Sequence, residues 1–334
     1  MKVVFFQRKP KSNNFSVEGT FRTTRDYMPV EVETVVAKSY FDSRGLFRRL
    51  YNILEVFFRQ GDVNHITGDV HFLSYLLKRD KTVLTILDCV VAYNNRGLKR
   101  SLLRLLWYVI PEKRVKLITV ISQATKDELI KFISCDPDKI RVVPVCISPR
   151  FLKVDKRFNP HKPRLLQVGT AQNKNLPRLI DALQGVRCTL HIVGELSSEQ
   201  LSLLNKNHID FTNSYRLSES ELIEEYNKCD LVTFVSTYEG FGMPIIEGNT
   251  VGRPVITSNL LSMPEVADNA ACIVDPFNVS DIREGILKII DDENFRINLV
   301  ENGFKNAIRF HPKEIARQYF EIYEELYSAK GKTL

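Results

Sequence analysis

The sequence predicts an α/β fold of two doubly wound, Rossmann-like domains, each built on a parallel sheet. Short β-branched apolar runs alternate along the chain with amphipathic segments, which is the pattern of strand–helix–strand units. The chain has 334 residues, enough for two domains of ordinary size. A stretch rich in Lys, Arg and Pro at 151–163 indicates a linker, so we place the domains at 1–155 and 156–311.

Charge differs between the two halves of the chain. Residues 1–155 carry 27 Lys and Arg against 16 Asp and Glu, whereas 156–334 carry 20 against 24. A basic half indicates an anionic partner, and the candidates are anionic lipid head groups, a diphosphate-linked acceptor or nucleic acid. No base-stacking aromatic pattern accompanies the charges, so nucleic acid is not expected as a partner.

Cysteine usage and hydropathy bound the compartment and the cofactors. The six cysteines form no CxxC pair, which favours buried free thiols in a reducing compartment such as the cytoplasm. No apolar run is long enough to span a bilayer. No zinc spacing, Walker loop or GxGxxG motif occurs, so neither a metal nor a nicotinamide cofactor is expected.

In the first domain, strands are expected at 2–6, 35–40, 63–67, 82–90, 116–121 and 140–146. The polar stretch 7–24 is expected to be a loop. Two amphipathic helices, 43–60 and 97–110, carry Arg and Lys beside their apolar faces. Such a helix either packs on its own sheet or lies on an anionic membrane, and the sequence leaves both open.

Two polar side chains follow strands of this domain. Asp88 lies at the end of strand 82–90, and His71 follows the turn after strand 63–67. An open α/β sheet binds its ligand at the carboxyl ends of its strands, so both are candidates for a ligand site. A histidine that merely caps its own turn would explain His71 equally well.

In the second domain, strands are expected at 164–169, 188–194, 210–213, 231–235 and 253–257. Helices are expected at 219–229, 244–252, 280–292, 294–309 and 312–330.

The most informative stretch is 231–257, which reads as strand, loop, helix and strand. Gly240 and Gly242 in the loop allow backbone to approach a ligand closely. The free N–H groups at the start of the helix favour an anion. Glu239 in the loop and Glu247 in the helix can accept hydrogen bonds from sugar hydroxyls. Together these groups suit a sugar that carries a diphosphate, although two solvated glutamates around a turn would have the same spacing.

The run Glu239-Gly-Phe-Gly-Met-Pro-Ile-Ile-Glu247, followed by Gly-Arg-Pro-Val-Ile, resembles the signature of retaining glycosyltransferases of family 4 (glycosyl transferases group 1). The resemblance implies that Glu239 contacts the donor sugar near its reacting face. It implies that Glu247 binds the ribose of the nucleotide. It also implies that the sugar and its phosphate lie against the backbone of Gly240, Phe241, Gly242 and Met243.

The stretch from Val168-Gly169 to Lys174-Asn-Leu resembles the phosphate-binding loop of the same family. The resemblance implies that Gly169, Thr170 and Lys174 lie at the diphosphate, with Thr170 standing where relatives often have an arginine. It places Tyr215 and Arg216 at the nucleotide base. Relatives carry a histidine just before the residue that matches Asp88, whereas this chain has Leu87.

The resemblance implies the GT-B fold, in which two Rossmann-like domains face each other across a cleft and the C-terminal helix, here 312–330, joins the first domain. It implies transfer of a hexose from a UDP- or GDP-sugar to a hydroxyl of a glycan or lipid-linked acceptor in cell-surface polysaccharide or glycoconjugate synthesis. No metal is expected. The location is expected to be cytoplasmic, at the inner membrane face where the acceptor is lipid-linked. The catalytic candidates are Glu239, Lys174, His71 and Asp88.

Two other functions fit the same residues. One is a sugar-nucleotide epimerase or hydrolase on this fold, which needs no acceptor. The other is a non-catalytic subunit that binds a nucleotide sugar and partners an active enzyme, which the departures at Leu87 and Thr170 would suit.

Overall fold

The computed structural model of the chain describes residues 1–9, 16–89 and 97–328. These residues form two compact units. Unit 1 comprises Met1–Ser148 together with the C-terminal segment from Pro312, and unit 2 comprises Pro149–His311. The sequence-based boundary, after residue 155, lies inside unit 2.

Unit 1 is built on a single parallel sheet. Its strands are β1 (Lys2–Gln7), β2 (Glu33–Lys38), β3 (Val63–Ile66), β4 (Thr82–Ile86), β5 (Leu117–Val120) and β6 (Ile140–Val142). They lie in the order β2-β1-β3-β4-β5-β6, and every neighbouring pair is parallel. The predicted strand 82–90 ends at Ile86, which leaves Asp88 in the loop beyond it; residue 90 lies outside the described residues.

The helices of unit 1 cover both faces of this sheet. They are α1 (Ser16–Asp26), α2 (Leu46–Phe57), α3 (Gly97–Arg104), α4 (Ile110–Arg114), α5 (Gln123–Ile133) and the C-terminal α13 (Pro312–Ser328). The predicted helix 97–110 is divided, because a π-helical segment at Leu105–Val109 separates α3 from α4. No helix within the described ranges has the length and apolar character needed to cross a bilayer.

The prediction of a loop over 7–24 is wrong from Ser16 onward, where α1 begins. The local sequence of α1 contains Gly19 and several threonines, which are weak helix formers. Phe21 on this helix is buried in the cluster that α13 forms with the sheet. Tertiary packing against a helix from the far end of the chain therefore outweighs the local propensity.

A buried polar network joins α13 to the sheet. His65 on β3 lies 2.7 Å from the Tyr323 hydroxyl through Nδ1 and 2.6 Å from the Thr85 hydroxyl through Nε2. The Thr85 hydroxyl lies 2.7 Å from that of Thr119 on β5. Burial, with a smaller effect of the Arg25 charge, lowers the pKa of His65 from 6.5 to about 3. The imidazole is therefore neutral in the folded protein at physiological pH.

This burial predicts a pH-dependent stability. Below pH 6.5 the unfolded chain protonates His65, whereas the folded chain does so only near pH 3. The contribution of His65 to the free energy of unfolding is therefore fully present above pH 6.5. It falls as the pH is lowered toward 3, by at most about 1.4 kcal/mol per pH unit. We expect the His65→Asn variant to show a shallower fall than wild type in urea-unfolding series over this range. His161→Asn, at an exposed site, is the control, and equal slopes for His65→Asn and wild type would contradict the assignment.

Unit 2 is built on a second parallel sheet. Its strands are β7 (Arg164–Val168), β8 (Thr189–Val193), β9 (Phe211–Ser214), β10 (Leu231–Phe234), β11 (Val255–Ser258) and β12 (Cys272–Val274). They lie in the order β12-β11-β10-β7-β8-β9. The sequence did not predict β12, which has only three residues and forms one edge of the sheet.

Helices flank this sheet as well. They are α6 (Leu176–Ala182), α7 (Ser198–Lys206), α8 (Glu219–Lys228), α9 (Met243–Val251), α10 (Met263–Ala267), α11 (Val279–Asp291) and α12 (Glu293–Ile308). Two doubly wound α/β units, as the sequence predicted, are thus confirmed.

Each sheet has a point where the strand order reverses. It lies between β1 and β3 in unit 1 and between β7 and β10 in unit 2. The connections leave such a point toward opposite sides, so a crevice opens at the carboxyl ends of the two strands, where α/β proteins bind ligands. A ligand site is therefore expected at the loops that follow these four strands.

Candidate functional site

In unit 2, the loops after β7 and β10 are fastened to each other. The backbone N–H of Thr237 donates to the carbonyl of Asn173 over 2.8 Å. The side-chain amide of Asn173 donates to the Tyr238 carbonyl over 2.9 Å and to Glu239 Oε1 over 3.1 Å. The crevice at the reversal point of the sheet therefore has two walls that are held in register by one asparagine.

Lys174 and Glu239 meet at this crevice. Lys174 Nζ donates to Glu239 Oε1 over 2.7 Å, and both side chains keep some exposure, 21% and 16%. The ammonium also lies 4.9 Å from the centre of the Phe234 ring. Gly169 has a φ of +94°, and a Cβ there would lie 3.0 Å from Lys174 Cγ and Cε. A glycine at 169 therefore leaves the space through which the lysine reaches the crevice.

Glu247 lies on α9 and is almost fully buried, with 9% exposure. The Tyr226 hydroxyl donates to its Oε2 over 2.5 Å. Burial raises the pKa of Glu247 from 4.5 to about 7, although the Tyr226 hydrogen bond and the Lys174 charge act in the opposite direction. Near neutral pH, this carboxyl is therefore balanced between its charged and neutral forms.

The start of α9 faces the loop that carries Glu239. Gly242 precedes the helix with a φ of +121°, and no side chain caps the first turn by a hydrogen bond. In the first turn, Pro244 has no N–H, and the N–H of Ile245 donates to the Gly242 carbonyl over 3.0 Å. The N–H groups of Gly242 and Met243 are therefore the ones that this helix end offers to an anion. The Ser262 hydroxyl lies 3.0 Å from the Glu239 carbonyl oxygen and 2.7 Å from that of Phe241, and donates to them. The Phe241 ring is buried edge-on against Phe310, so the loop is held from both sides.

The remaining predicted donor-side residues lie on neighbouring loops. Thr170 follows β7, and its hydroxyl donates to the Glu195 carbonyl over 2.7 Å. Tyr215 follows the edge strand β9 and is 54% exposed, with the Arg216 guanidinium 5.7 Å from its ring centre. Tyr215 thus offers an aromatic surface two strands away from β7, on the side of the sheet opposite to β10.

Unit 1 has a cavity of about 790 Å³ at its own reversal point, which is within the size range of small-molecule sites. It lies at the carboxyl ends of β1, β3 and β4 and against α2, α3 and the π-helical segment. Its charged lining residues are Arg8, Lys9, Arg44, Arg48, Arg49, Asp42, Asp69 and Asp88. The cations outnumber the acids, so the cavity favours a ligand that carries negative charge.

His71 and Asp88 line this cavity together, as does Leu87. His71 is buried, and its Nδ1 lies 2.7 Å from the Trp107 carbonyl oxygen, which can only accept. Nδ1 therefore carries the proton, and Nε2 keeps a lone pair that can take one up. Burial lowers the pKa of His71, and the charges of Asp69 and Asp88 oppose this more weakly. Its position fits neither a simple turn cap nor a solvated side chain.

Residues 150–306 match the family described as glycosyl transferases group 1. Unit 2 belongs to the group 1 glycosyl transferases. The matched range contains both loops of the crevice, α9 and the Tyr226–Glu247 pair. The resemblance drawn from the run Glu239–Glu247 is therefore confirmed at the level of the group.

Two mannosyltransferases are similar to the chain over about two thirds of its length. The serotype-specific mannosyltransferase WbdA of Escherichia coli is 25% identical over 247 residues, which are 66% of this chain and 30% of that protein. The MMP α-(1→4)-mannosyltransferase of Mycolicibacterium hassiacum is 26% identical over 249 residues, 66% of this chain and 58% of its own length. The aligned part of the chain thus spans less than two thirds of either relative.

Solved structures agree with the fold over nearly the whole chain. Anabaena HepE, in complex with UDP and glucose, has a TM-score of 0.78 at 16% identity and covers 96% of this chain and 99% of its own. WaaG, a glycosyltransferase of lipopolysaccharide biosynthesis, has a TM-score of 0.71 at 16% identity, with the same coverage. The predicted GT-B class is confirmed by this similarity of fold.

Sequence reasoning missed several residues that shape the group 1 crevice. Asn173, Ser262 and Tyr226 each hold a predicted site residue by a hydrogen bond. Asparagine, serine and tyrosine in loops or helices carry no periodic signal, so only the three-dimensional contacts identify them. Among the described residues, no cluster of three or more His, Cys, Asp or Glu is placed to hold a metal ion.

Proposed function

We propose that the chain is a retaining glycosyltransferase that moves a hexose from a UDP- or GDP-sugar to a hydroxyl of a glycan or lipid-linked acceptor. The observation that carries the proposal is the meeting of Lys174, Glu239 and the uncapped start of α9 at the reversal point of a group 1 unit. This crevice offers an ammonium, a carboxylate and free N–H groups within one small region. Relatives named as mannosyltransferases and a similar fold holding UDP and glucose support the proposal.

The chemistry requires stabilisation of a departing diphosphate. Cleavage of the glycosidic bond to phosphate builds negative charge on the leaving oxygen and positive charge on the sugar carbon. Lys174 and the N–H groups at Gly242 and Met243 would receive the negative charge. Glu239, on the other side of the same ammonium, would face the sugar. The departing phosphate would itself accept the proton of the acceptor hydroxyl, so the proposal needs no separate base in unit 2.

In this proposal, the Lys174 ammonium and the backbone N–H groups at the start of α9 supply the positive charge at the diphosphate. In the proposed reaction, Lys174 takes the part that a bound metal takes in other nucleotide-sugar enzymes. Transfer is therefore expected without added metal.

The cavity of unit 1 is the proposed acceptor site. It has an excess of cations and a neutral His71 with a free Nε2, which suits an acceptor that combines hydroxyl groups with a phosphate. We further propose a cytoplasmic location at the inner face of a membrane, in a pathway of cell-surface polysaccharide or glycoconjugate synthesis. The six free thiols, five of them buried, suit a reducing compartment.

A nucleotide screen tests the donor half of the proposal. We expect UDP or GDP, and the matching sugar nucleotide, to raise the melting temperature, with ADP having a smaller effect. Lys174→Gln should weaken binding of the diphosphate by about 10- to 100-fold, as loss of a charged hydrogen bond does. Lys206→Gln, an exposed lysine on α7, is the matched control and should change nothing.

Product analysis then separates the remaining outcomes. A glycosylated product formed only with acceptor, with the anomeric configuration of the donor, is the expected result. Release of free sugar or an altered sugar nucleotide without acceptor would indicate the hydrolase or epimerase instead. Donor binding with no turnover on any acceptor would indicate a non-catalytic subunit. Absence of binding by every nucleotide would contradict the proposal as a whole.

A further inference from the structure

Helix α2 turns an apolar face to the solvent. Its large apolar side chains have exposures between 46% and 86%; they are Leu46, Phe47, Leu50, Tyr51, Leu54, Phe57 and, just beyond the helix, Phe58. At about 100° per residue, these positions fall within an arc of about 140° on one side of the helix. The opposite side carries the buried Asn52, Ile53 and Val56. We call the exposed set the α2 stripe.

Helix α3 repeats this arrangement. Leu98 is 90% exposed, Leu102 is 56% exposed and Leu105, in the π-helical segment, is 45% exposed. The two helices border the same cavity of unit 1, and the Arg49 guanidinium of α2 lies 4.6 Å from the Trp107 ring centre. Soluble proteins rarely leave contiguous apolar surfaces of this kind open to water unless they bind something.

The charges around these faces are strongly unbalanced. Residues 42–60 and 97–107 together contain seven Arg and Lys but only two acids, Asp42 and Glu55. Each of these acids is already paired with an arginine of the same segment. Arg44, Lys99 and Arg100 are exposed and make no ion pair within the described part of the chain. The partner of this surface should therefore be apolar inside and negatively charged at its edge.

A second copy of the chain fits this description poorly. A symmetric dimer through the α2 stripe would bring the same patch from both subunits together, so that cations would face cations. A bilayer that contains anionic lipid has both required properties, because its acyl chains receive apolar side chains and its phosphates attract Arg and Lys.

We propose that α2 and α3 dock unit 1 on an anionic lipid bilayer. The α2 stripe and the α3 leucines lie at the boundary between head groups and acyl chains, and Arg44, Lys99 and Arg100 lie at lipid phosphates. Membrane docking deepens the proposed function, because it supplies the surface on which unit 1 would meet a lipid-linked acceptor. The docking itself rests on the proposed function only in naming that acceptor. The cavity lined by both helices then borders the membrane surface.

Vesicle sedimentation tests the docking surface without donor or acceptor. The full chain should bind vesicles that contain phosphatidylglycerol, bind pure phosphatidylcholine vesicles much less, and lose affinity as salt screens the charges. Phe47→Ser/Leu54→Ser should weaken binding by roughly tenfold or more. Lys99→Gln/Arg100→Gln should weaken it by about fivefold for each charge removed. All four positions are exposed, so the melting temperature should stay at the wild-type value.

Ile297→Ser/Ile308→Ser, which removes two exposed apolar side chains of unit 2, is the matched control and should bind vesicles as wild type does. Failure of wild type to bind anionic vesicles, or unchanged binding by Phe47→Ser/Leu54→Ser, would overturn the proposal. A wild-type dimer that becomes monomeric in this variant, without vesicle binding, would assign the stripe to a second copy instead. If the chain binds vesicles but no nucleotide, the transferase proposal is contradicted and the membrane-docking proposal is supported.

Discussion

The Glu239→Gln variant is expected to lose sugar transfer almost completely while it keeps its affinity for the nucleotide. Glu239 lies 2.7 Å from the Lys174 ammonium and would be the negative group that faces the sugar as positive charge develops on it. Removing one preorganised charged group from such a site costs about 100- to 1000-fold in kcat. Glutamine keeps an oxygen that can accept from Asn173, so the two loops of the crevice should stay joined.

The same substitution also changes Lys174 in a way that calorimetry detects. Without the carboxylate, the ammonium has lost its ion-pair partner and is left for the diphosphate, so nucleotide affinity should be equal to that of wild type or higher. The control is Glu224→Gln on α8, an exposed glutamate that pairs only loosely with Lys228. A Glu239→Gln enzyme with wild-type kcat, or one whose kcat and nucleotide affinity fall together, would refute the assigned role.

The fold could be predicted because parallel strands are buried on both faces and read as unbroken apolar runs. Leu231–Phe234 is such a strand, and all four of its residues are buried. The failures lie where this rule weakens. The edge strand Cys272–Val274 has only three residues, and Ile273 in its centre is exposed, so it is not buried on both faces. Helix α1 forms because Phe21 packs against α13, which lies near the other end of the chain.

The candidate site was predictable only in part, for a related reason. The motif places Glu239 and Lys174 by resemblance, and the structure brings them together. Their neighbours come from positions far along the chain: Asn173 is 66 residues from Glu239, and Ser262 is 23 residues from it. Contacts between distant loops leave no trace in local periodicity. The spacing of apolar residues along a helix predicts that the helix has an apolar face, but it does not predict whether another element covers that face. The exposure of the α2 stripe is therefore known only from the structure.

Nucleotide binding is expected to depend on pH through Glu247. The resemblance of the motif implies that Glu247 binds the ribose. The Tyr226 hydroxyl occupies Oε2, so Oε1 would be the atom that accepts from the ribose hydroxyls, and a charged carboxylate accepts best. Because the pKa of Glu247 is raised to about 7, affinity should increase as pH rises through this value. Below it, each pH unit weakens binding by at most about tenfold. Calorimetric titrations with UDP or GDP between about pH 6 and 8, one unit either side of the pKa, measure the change.

Substitutions of the Tyr226–Glu247 pair separate binding from folding. Glu247→Ala should weaken the nucleotide by about 10- to 100-fold, and Glu247→Gln should remove the pH dependence. Tyr226→Phe should move the midpoint to higher pH, because the hydroxyl helps to hold the pKa of Glu247 down.

A carboxyl whose folded pKa is raised above 4.5 loses its contribution to stability as pH rises through about 7. Glu247→Gln should therefore melt at a higher temperature than wild type above pH 7, even as its nucleotide binding falls. Wild-type affinity in Glu247→Ala, or affinity that does not change with pH in wild type, would show that this carboxyl does not meet the ribose.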